Sequence, residues 1–541
     1  MTGRIVFFLS IVCSLSIVAV LAAQQPPSGH PGTIEGTVVN SVTGAPVKKV
    51  VAAIGDPARN VSYAATTDSA GHFQFVNVEP GTYTFSMLAA QGYRQLETDK
   101  SFSKPITLAD DQHVTAIKLQ MVPLGVITGR VFDDQGEPLT GVAMTAFHYE
   151  YSSGTKVLTS AGRANTDDLG IYRLYDLPPG HYIVKAQLRA MRPAIPPSTR
   201  FNVPETGFAA VFYPGVGDET RASPVEVLPG AEASGTDFRL ERIPVYHVRG
   251  KTGIGGTRFQ YSLNTCGSTD QQAAASGTSG ESPDGRFDLA DVPAGSYCLT
   301  ATRNERNRTL YGIEQIVVAD RSLDDVIISP LLVEDIHGTL QIDGTFESNI
   351  GTSVHLGYRT SLGTSVPKDG GSFTIPGATP GAYSVYLMGD MDKLYLKSIE
   401  YAQHDVPDGV VNIGTDRAEL ILHAGTDPGQ LIGIVRTANG DPAGETPVLA
   451  EPASPLAGRI DLVKTAATDA NGRFQIKGLA QGEYKVFAWE SSDSNLMMAR
   501  EFRQEFQSDA TAVTIQPSAI ASVNLTAIST AKTEKVASKF R

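Results

Sequence analysis

Thr67-Asp68-Ser69-Ala70-Gly71-His72-Phe73-Gln74-Phe75-Val76-Asn77-Val78-Glu79-Pro80-Gly81-Thr82-Tyr83 holds a pattern, G-x-[F/Y]-x-x-x-x-[apolar]-x-x-G-x-Y, that occurs five times with unchanged spacing. The copies are Gly71/Phe73/Val78/Gly81/Tyr83, Gly170/Tyr172/Leu177/Gly180/Tyr182, Gly285/Phe287/Val292/Gly295/Tyr297, Gly371/Phe373/Ala378/Gly381/Tyr383 and Gly472/Phe474/Leu479/Gly482/Tyr484. Successive first glycines lie 99, 115, 86 and 101 residues apart. That period is one domain per copy, not a short solenoid unit.

Each position has a physical reason. Three copies begin T-D-x-x-G (Thr67-Asp68, Thr166-Asp167, Thr468-Asp469), where the Asp side chain can accept backbone amides of a turn and Gly can take φ > 0 at its end. The following residues alternate, as in Phe73-Gln74-Phe75 and Phe474-Gln475-Ile476, which puts the apolar members on one sheet face. Pro80-Gly81, Pro179-Gly180 and Pro380-Gly381 fit a type II turn with Gly in the left-handed position. The pattern therefore reads as a β-hairpin whose return strand starts at the Tyr, as in Tyr83/Phe85, Tyr182/Val184 and Tyr484/Val486.

Further strands surround this unit. Each copy opens on a short strand containing Gly, at Ile34 to Val38, Ile127 to Val131, Val248 to Gly250, Ile336 to Gly338 and Ile432 to Val435. Each closes on an apolar stretch, such as Ile117-Lys118-Leu119, Phe238-Arg239-Leu240 or Val523-Asn524-Leu525. About seven strands in roughly 100 residues is the strand count of an immunoglobulin-type sandwich. The expected fold is all-β, a tandem array of about five Ig-like or prealbumin-like seven-stranded β-sandwiches, at 32–122, 123–243, 244–332, 333–427 and 428–530, with a frayed tail at 531–541.

These strands resemble the carboxypeptidase regulatory-like domain, a transthyretin-like (prealbumin-like) sandwich related in shape to Cna-type B and starch-binding (carbohydrate-binding-like) modules. The likeness rests on the G-T/R-V opening, on G-x-P-x-x-x-V and on T-D-x-x-G-x-F-x-F…P-G-x-Y, and it is fullest in copies one, two and five. Val211 to Leu240 and Gly478 to Glu490 look like multi-repeat secreted bacterial proteins that carry this domain. The resemblance implies a fold far more than an activity.

Arg4, the apolar run Ile5 to Ala22 and the polar Gln24-Gln25-Pro26-Pro27 form a secretory signal at 1–23, followed by a linker at 24–31. The run of about 18 residues is close to the ~20 that span a bilayer, so an uncleaved anchor is the alternative. No later segment has the length and apolarity of a spanning helix. The net charge of −13 disfavours nucleic acid.

Catalytic residues are not expected. No H-x-x-E or H-E-x-x-H occurs for zinc, no G-x-S-x-G for a nucleophile, and Gly253-Ile254-Gly255-Gly256 lacks the Lys-Ser/Thr of a phosphate loop. Asp68, Asp167 and Asp469 offer too few oxygens for calcium and suit turn capping. No metal and no cofactor is expected. Cna-type B domains can carry a Lys–Asn isopeptide bond, but the comparable opening-strand positions here lack Lys apart from the nearby Lys251. Cys266 and Cys298, both in copy three, fall on solvent-directed faces of strands that neighbour each other in an Ig-like order, so a cross-strand disulfide is the expectation, against two unpaired thiols.

Trp489, Phe212 and Tyr213 are the candidate binding aromatics, each with a plainer reading as packing residues. The composite expectation is an exported, non-catalytic binding or scaffold protein, an extended rod that spaces, adheres or docks at the cell envelope through an unknown protein or glycan ligand. A carbohydrate-binding protein and an accessory subunit of an extracytoplasmic enzyme are the alternatives. The compartment would be periplasm, cell surface or exterior.

Overall fold

The computed structural model describes residues 30–540 except 97–99, 153, 189–204, 218, 255–257, 267–277, 283–284, 306–307, 344–351, 359, 366–370, 415, 455 and 457. The signal segment at 1–23 lies outside them. The chain divides into two compact units, 1–91 with 99–121 and 92–98 with 122–541. Among the described residues the first holds one β-sandwich and the second holds four.

In every sandwich the opening strand is the organising element. The five are Gly32–Asn40, Gly125–Asp133, Arg242–Thr252, Ile336–Ile342 and Gly429–Arg436. Each pairs antiparallel with the strand that carries the motif aromatic, and the register is the same throughout: Gly36↔Phe73, Gly129↔Tyr172, Gly250↔Phe287, Gly338↔Phe373 and Gly433↔Phe474. The aromatic ring lies across the bare glycine. A Cβ there would come within 2.8 Å of Phe73, 3.0 Å of Tyr172, 2.6 Å of Phe287, 2.4 Å of Phe373 and 2.6 Å of Phe474. It would also strike a carbonyl oxygen of the chain on the other side, from 2.0 Å at Val326 to 2.3 Å at Ile117 and Leu420. On that side the opening strand pairs in parallel with the closing strand, for example Gly433↔Val523 and Gly338↔Leu420.

The structure corrects the hairpin. The motif strand and the Tyr strand belong to different sheets. His72–Val78 lies beside the opening strand, whereas Gly81–Ala89 lies beside Val51–Asp56 in the facing sheet, and the other four copies repeat this. The segment between them is a crossing, not a turn between paired neighbours. Its positive φ is also not at the expected glycine. Gly81, Gly180, Gly295 and Gly381 are not left-handed, and only Gly482, at φ 137°, falls in that range. The left-handed residue comes earlier, six positions after the first glycine, at Asn77, Asp176, Asp291, Gly377 and Gly478 with φ between 53° and 71°. Asn, Asp and Gly tolerate that conformation best.

The Tyr seals the crossing. Its ring is buried, and its hydroxyl donates to the carbonyl four residues earlier: Tyr83 to Glu79 (2.8 Å), Tyr182 to Pro178, Tyr297 to Pro293 (3.1 Å) and Tyr383 to Thr379 (2.7 Å). The Tyr484 hydroxyl faces Ala480, the equivalent carbonyl, without reaching hydrogen-bond geometry. The unvarying spacing thus encodes one closed device, because one residue more or less would move the ring off the carbonyl it caps.

The T-D pairs complete it. Asp68 Oδ1 accepts the amides of Ala70 (2.8 Å) and His72 (2.9 Å); Asp167 does so for Leu169 and Ile171, and Asp469 for Asn471 and Arg473. The buried Thr before each Asp ties two strands. Thr67 Oγ1 accepts the Val50 amide and donates to the Val47 carbonyl, both at 2.8 Å, and Thr166 and Thr468 repeat the arrangement.

Three other expectations change. Seven strands describe the fifth sandwich, with sheets of three and four, but the fourth has sheets of five and four. The tail at 531–541 is not frayed: Thr530–Ala537 is a helix, and Thr533, Val536 and Ala537 are buried. Their spacing, continued by Phe540, is one helical face. Nor is the second unit an extended rod. The tip of the Ala143–Ser152 strand of the second sandwich enters the fifth, where Tyr151 packs in one cluster with Trp489, Phe502 and Phe506, its ring 6.0 Å from that of Phe540. The fourth and fifth sandwiches are joined by Arg459, fully buried, which donates to the Leu396 carbonyl (2.9 Å) and pairs with Asp461 (2.6 Å).

Gly433→Ala is expected to destabilise the second unit by about 1–3 kcal/mol, because the methyl must enter occupied space on both sides. Gly217→Ala, where nothing lies within 4 Å and φ is not left-handed, is expected to leave stability unchanged. Denaturant unfolding of the two variants distinguishes these outcomes.

Candidate functional site

The residues singled out by sequence reach different fates. Of the ten motif residues, Tyr83, Tyr182, Tyr297, Tyr383 and Tyr484 stand at the crossings described above, whereas Gly71, Gly170, Gly285, Gly371 and Gly472 are left-handed, φ between 71° and 79°, at the turn ahead of the motif strand. Trp489 is not a sugar platform. It is fully buried, stacked on Phe487 at 5.4 Å and edge-on to Phe506 at 5.9 Å, beneath the helices Ser494–Met498 and Arg500–Gln504. Phe212 is likewise buried, among Phe147, Leu158 and Ile183, because strand Val211–Phe212 extends a sheet of the second sandwich. Tyr213 is half-buried, edge-on to Phe238 at 5.9 Å. Phe212 and Tyr213 therefore both pack inside the second sandwich.

Cys266 and Cys298 form a disulfide with their Cα atoms 5.0 Å apart. It joins neighbouring strands, since Phe259–Thr265 pairs antiparallel with Gly295–Glu305. The face it staples is the outer face of the third sandwich, and this face carries the feature that sequence reasoning missed. Strand Arg308–Val318 lies beside the Cys298 strand with Gln315 opposite Cys298, Ile313 opposite Thr300 and Val317 opposite Ser296. Ile313 and Val317 share that face, and Val317 is 65% exposed. Leu331, 70% exposed, pairs with Tyr311 and prolongs the apolar line. The signal was present in Ile313-Glu314-Gln315-Ile316-Val317-Val318: a strand with apolar residues at both parities cannot bury all of them in one core.

Beside this line, the link between the third and fourth sandwiches borders an open cleft of about 820 Å³ lined by Arg308, Leu332, Asp335, His337, Arg417 and Glu419. Its charges are mixed and partly engaged. Arg417 donates to the carbonyls of Gly414 (3.1 Å) and Ala378 (2.5 Å), and Glu419 accepts from Thr339 (3.3 Å). Neither a nucleophile–base pair nor an oxyanion pocket is formed by these groups. Among the described residues no group of three or more His, Cys, Asp or Glu is placed to hold a metal ion, and no helix is long and apolar enough to cross a membrane.

Comparison with known families now bears on this geometry. Residues 33–122 match the carboxypeptidase regulatory-like domain. The match coincides with the first sandwich. No curated protein matches the chain. Among solved structures, the chain is similar to the Bacillus anthracis TIE protein (13% identity, 56% of this chain and 51% of that one, TM-score 0.17). It is similar to the minor pilin GBS52 of Streptococcus agalactiae (13%, 39% and 97%, TM-score 0.22). It is also similar to two B repeat units of the collagen-binding protein of Staphylococcus aureus (11%, 74% and 100%, TM-score 0.13). The chain thus spans about half of the TIE protein. The architecture of the present chain rests on its own strands and registers.

Two outcomes follow. Trp489→Ala is expected to cost about 3–5 kcal/mol by emptying a packed cluster, measured by denaturant unfolding, so it reports on the core and not on ligand binding. Cys298→Ser opens a bridge with a sequence separation of 32. Its expected cost is about 3–4 kcal/mol in the loop-entropy account, read as a lower unfolding midpoint of the third sandwich.

Proposed function

We propose that the chain is an exported, non-catalytic scaffold that docks a partner protein at the cell envelope through the outer face of its third sandwich. The observation that carries this reading is the exposed line Ile313, Val317 and Leu331 on a sheet face held by the Cys266–Cys298 bridge. An apolar line of this kind on an otherwise polar sheet marks a contact surface. Elsewhere in the second unit, Arg459 ties the fourth sandwich to the fifth and Tyr151 ties the second to the fifth through buried contacts. Polar side chains of the repeats are occupied internally, Asp68, Asp167 and Asp469 by turn amides and four of the five motif Tyr hydroxyls by carbonyls, which supports a structural role. Export is supported by the disulfide, which oxidising compartments preserve, and by the apolar run Ile5 to Ala22 behind Arg4. The glycan alternative loses Trp489, its first candidate platform, to the core.

The test is a double substitution on the face, Ile313→Glu with Val317→Glu, both at exposed positions. A partner cross-linked to the intact chain on host cells is expected to bind this variant at least about tenfold more weakly, with unfolding unchanged. Equal affinity of the two proteins for that partner, or glycan binding by both, would contradict the reading.

A further inference from the structure

Between the second and third sandwiches a short strand, Thr206–Phe208, leaves the second and pairs antiparallel with the first residues of Arg242–Thr252, Thr206 opposite Pro244 and Phe208 opposite Arg242. Just ahead of it, the Glu205 carbonyl accepts the Val245 amide at 3.0 Å. Two basic side chains hold this strand in place. Arg242 sits over the Phe208 ring at 5.0 Å and reaches Asp133 (3.1 Å) and Asp134 (3.4 Å) of the second sandwich. His247 is the other, and its side chain is only 13% exposed. Its Nε2 meets Glu205 at 3.0 Å and its Nδ1 meets Asp288 at 2.5 Å.

We propose that His247 is a pH-released latch, which as an imidazolium clamps the 205–208 segment to the third sandwich and as a neutral ring lets it go. The argument is one of donors and acceptors. Both partners of the ring are carboxylates, which accept only, so both ring nitrogens must carry hydrogens for both contacts to hold. A neutral imidazole has one N–H and one lone pair, and the lone pair would then face a carboxylate. The contact that fails is the one to Glu205, because Asp288 is nearer to the ring, at 2.5 Å against 3.0 Å, and sits on the paired strand of the same sandwich, where Arg249 also holds it at 3.1 Å and in turn reaches Asp324 at 3.1 Å.

The groups around His247 come from each neighbouring element: Arg249 on its own strand, Asp288 and Asp291 on or near Arg286–Pro293, Asp324 on Leu323–Ile328, Ser322 ahead of that strand accepting the His247 amide at 3.0 Å, and Glu205 from the second sandwich. The Asp288 hydrogen bond, helped by the charges of Asp288 and Glu205 and opposed by burial and Arg249, holds the His247 pKa above its ordinary value. The part of this rise that docking supplies is the charge of Glu205, and a basic group whose pKa docking raises stabilises the docked state fully below its undocked pKa and loses that contribution as pH rises through the docked one. The latch is therefore closed in acid and opens on the alkaline side of about pH 6.5. Arg242 stays charged throughout, so opening loosens the segment while the second pin remains.

Amide exchange at Val245, corrected for the intrinsic rate and followed on the full chain from about pH 5 to about pH 9, tests this. Protection is expected to fall by roughly tenfold for each unit by which docking raises the His247 pKa, and His247→Gln is expected to remove the pH step. Glu205→Gln, which leaves the third sandwich's own residues intact, is expected to lower the pH at which the His247 ring protons titrate by NMR. A Val245 protection flat with pH in the wild type, a step that persists in His247→Gln, or a His247 titration unmoved by Glu205→Gln would overturn the proposal.

Discussion

An aromatic ring resting on a glycine of the facing strand is the contact from which the rest of each sandwich follows. The opening strand has a parallel neighbour on one side and an aromatic-bearing strand on the other, and a methyl group would collide with both. Glycine weakens a strand by itself, and a cross-strand aromatic restores what is lost by covering the bare backbone. Once the ring is seated, the register of the motif strand is fixed. Fixed register determines where the left-handed residue bends the chain toward the other sheet, and in four of the five copies the Tyr hydroxyl then caps a carbonyl of that bend. The cores enclosed are dense with such rings: Phe73, Phe75 and Phe85 meet at centroid distances of 5.5–6.4 Å in the first sandwich.

Much of this was legible in the residues. The five-fold repeat, the all-β class and the turn-capping Asp could be read because each is a local chemical necessity. The crossing was not, and the reason is specific. Alternation in Phe73-Gln74-Phe75 and in Tyr83-Thr84-Phe85 shows that both segments are strands facing a core, but a hairpin and a sheet-to-sheet crossing bury the same parity of residues. Pro80-Gly81 favoured the hairpin. The deciding clue was Asn77, Asp176 and Asp291, which match the glycines at 377 and 478 only when aligned by function, as residues that tolerate positive φ. The helices around Trp489 were missed for a different reason. Leu496, Met497, Phe502 and Phe506 have helical spacing, yet they sit inside a β repeat whose period dominates the reading, and the four cations of the last eleven residues concealed the face made by Thr533, Val536, Ala537 and Phe540.

What the repeats share builds sandwiches, and what they do not share connects and differentiates them. The Tyr151 hairpin tip, the helical insertion it enters, the buried Arg459–Asp461 pair, the Glu205 strand and the Ile313–Val317 line each occur in one place. No periodic pattern announces them. Interfaces between sandwiches depend on side chains that meet over long separations in sequence, as Tyr151 and Phe540 do, and a single chain read locally carries no trace of such meetings. Function on a repeated fold resides in these departures from the repeat.

The central claim, that the glycine-and-tyrosine punctuation marks a crossing between two sheets, is tested most directly by oxidative cross-linking of cysteine pairs in the first sandwich. Glu35 and Gln74 are register partners on adjoining strands, their side chains 3.3 Å apart, so Glu35→Cys with Gln74→Cys is expected to form a disulfide readily. Gln74→Cys with Met87→Cys, the pair that a hairpin folded at Pro80-Gly81 would bring opposite each other, is expected to stay reduced because the two lie on different sheets. Efficient bridging of the second pair and none of the first would contradict the account.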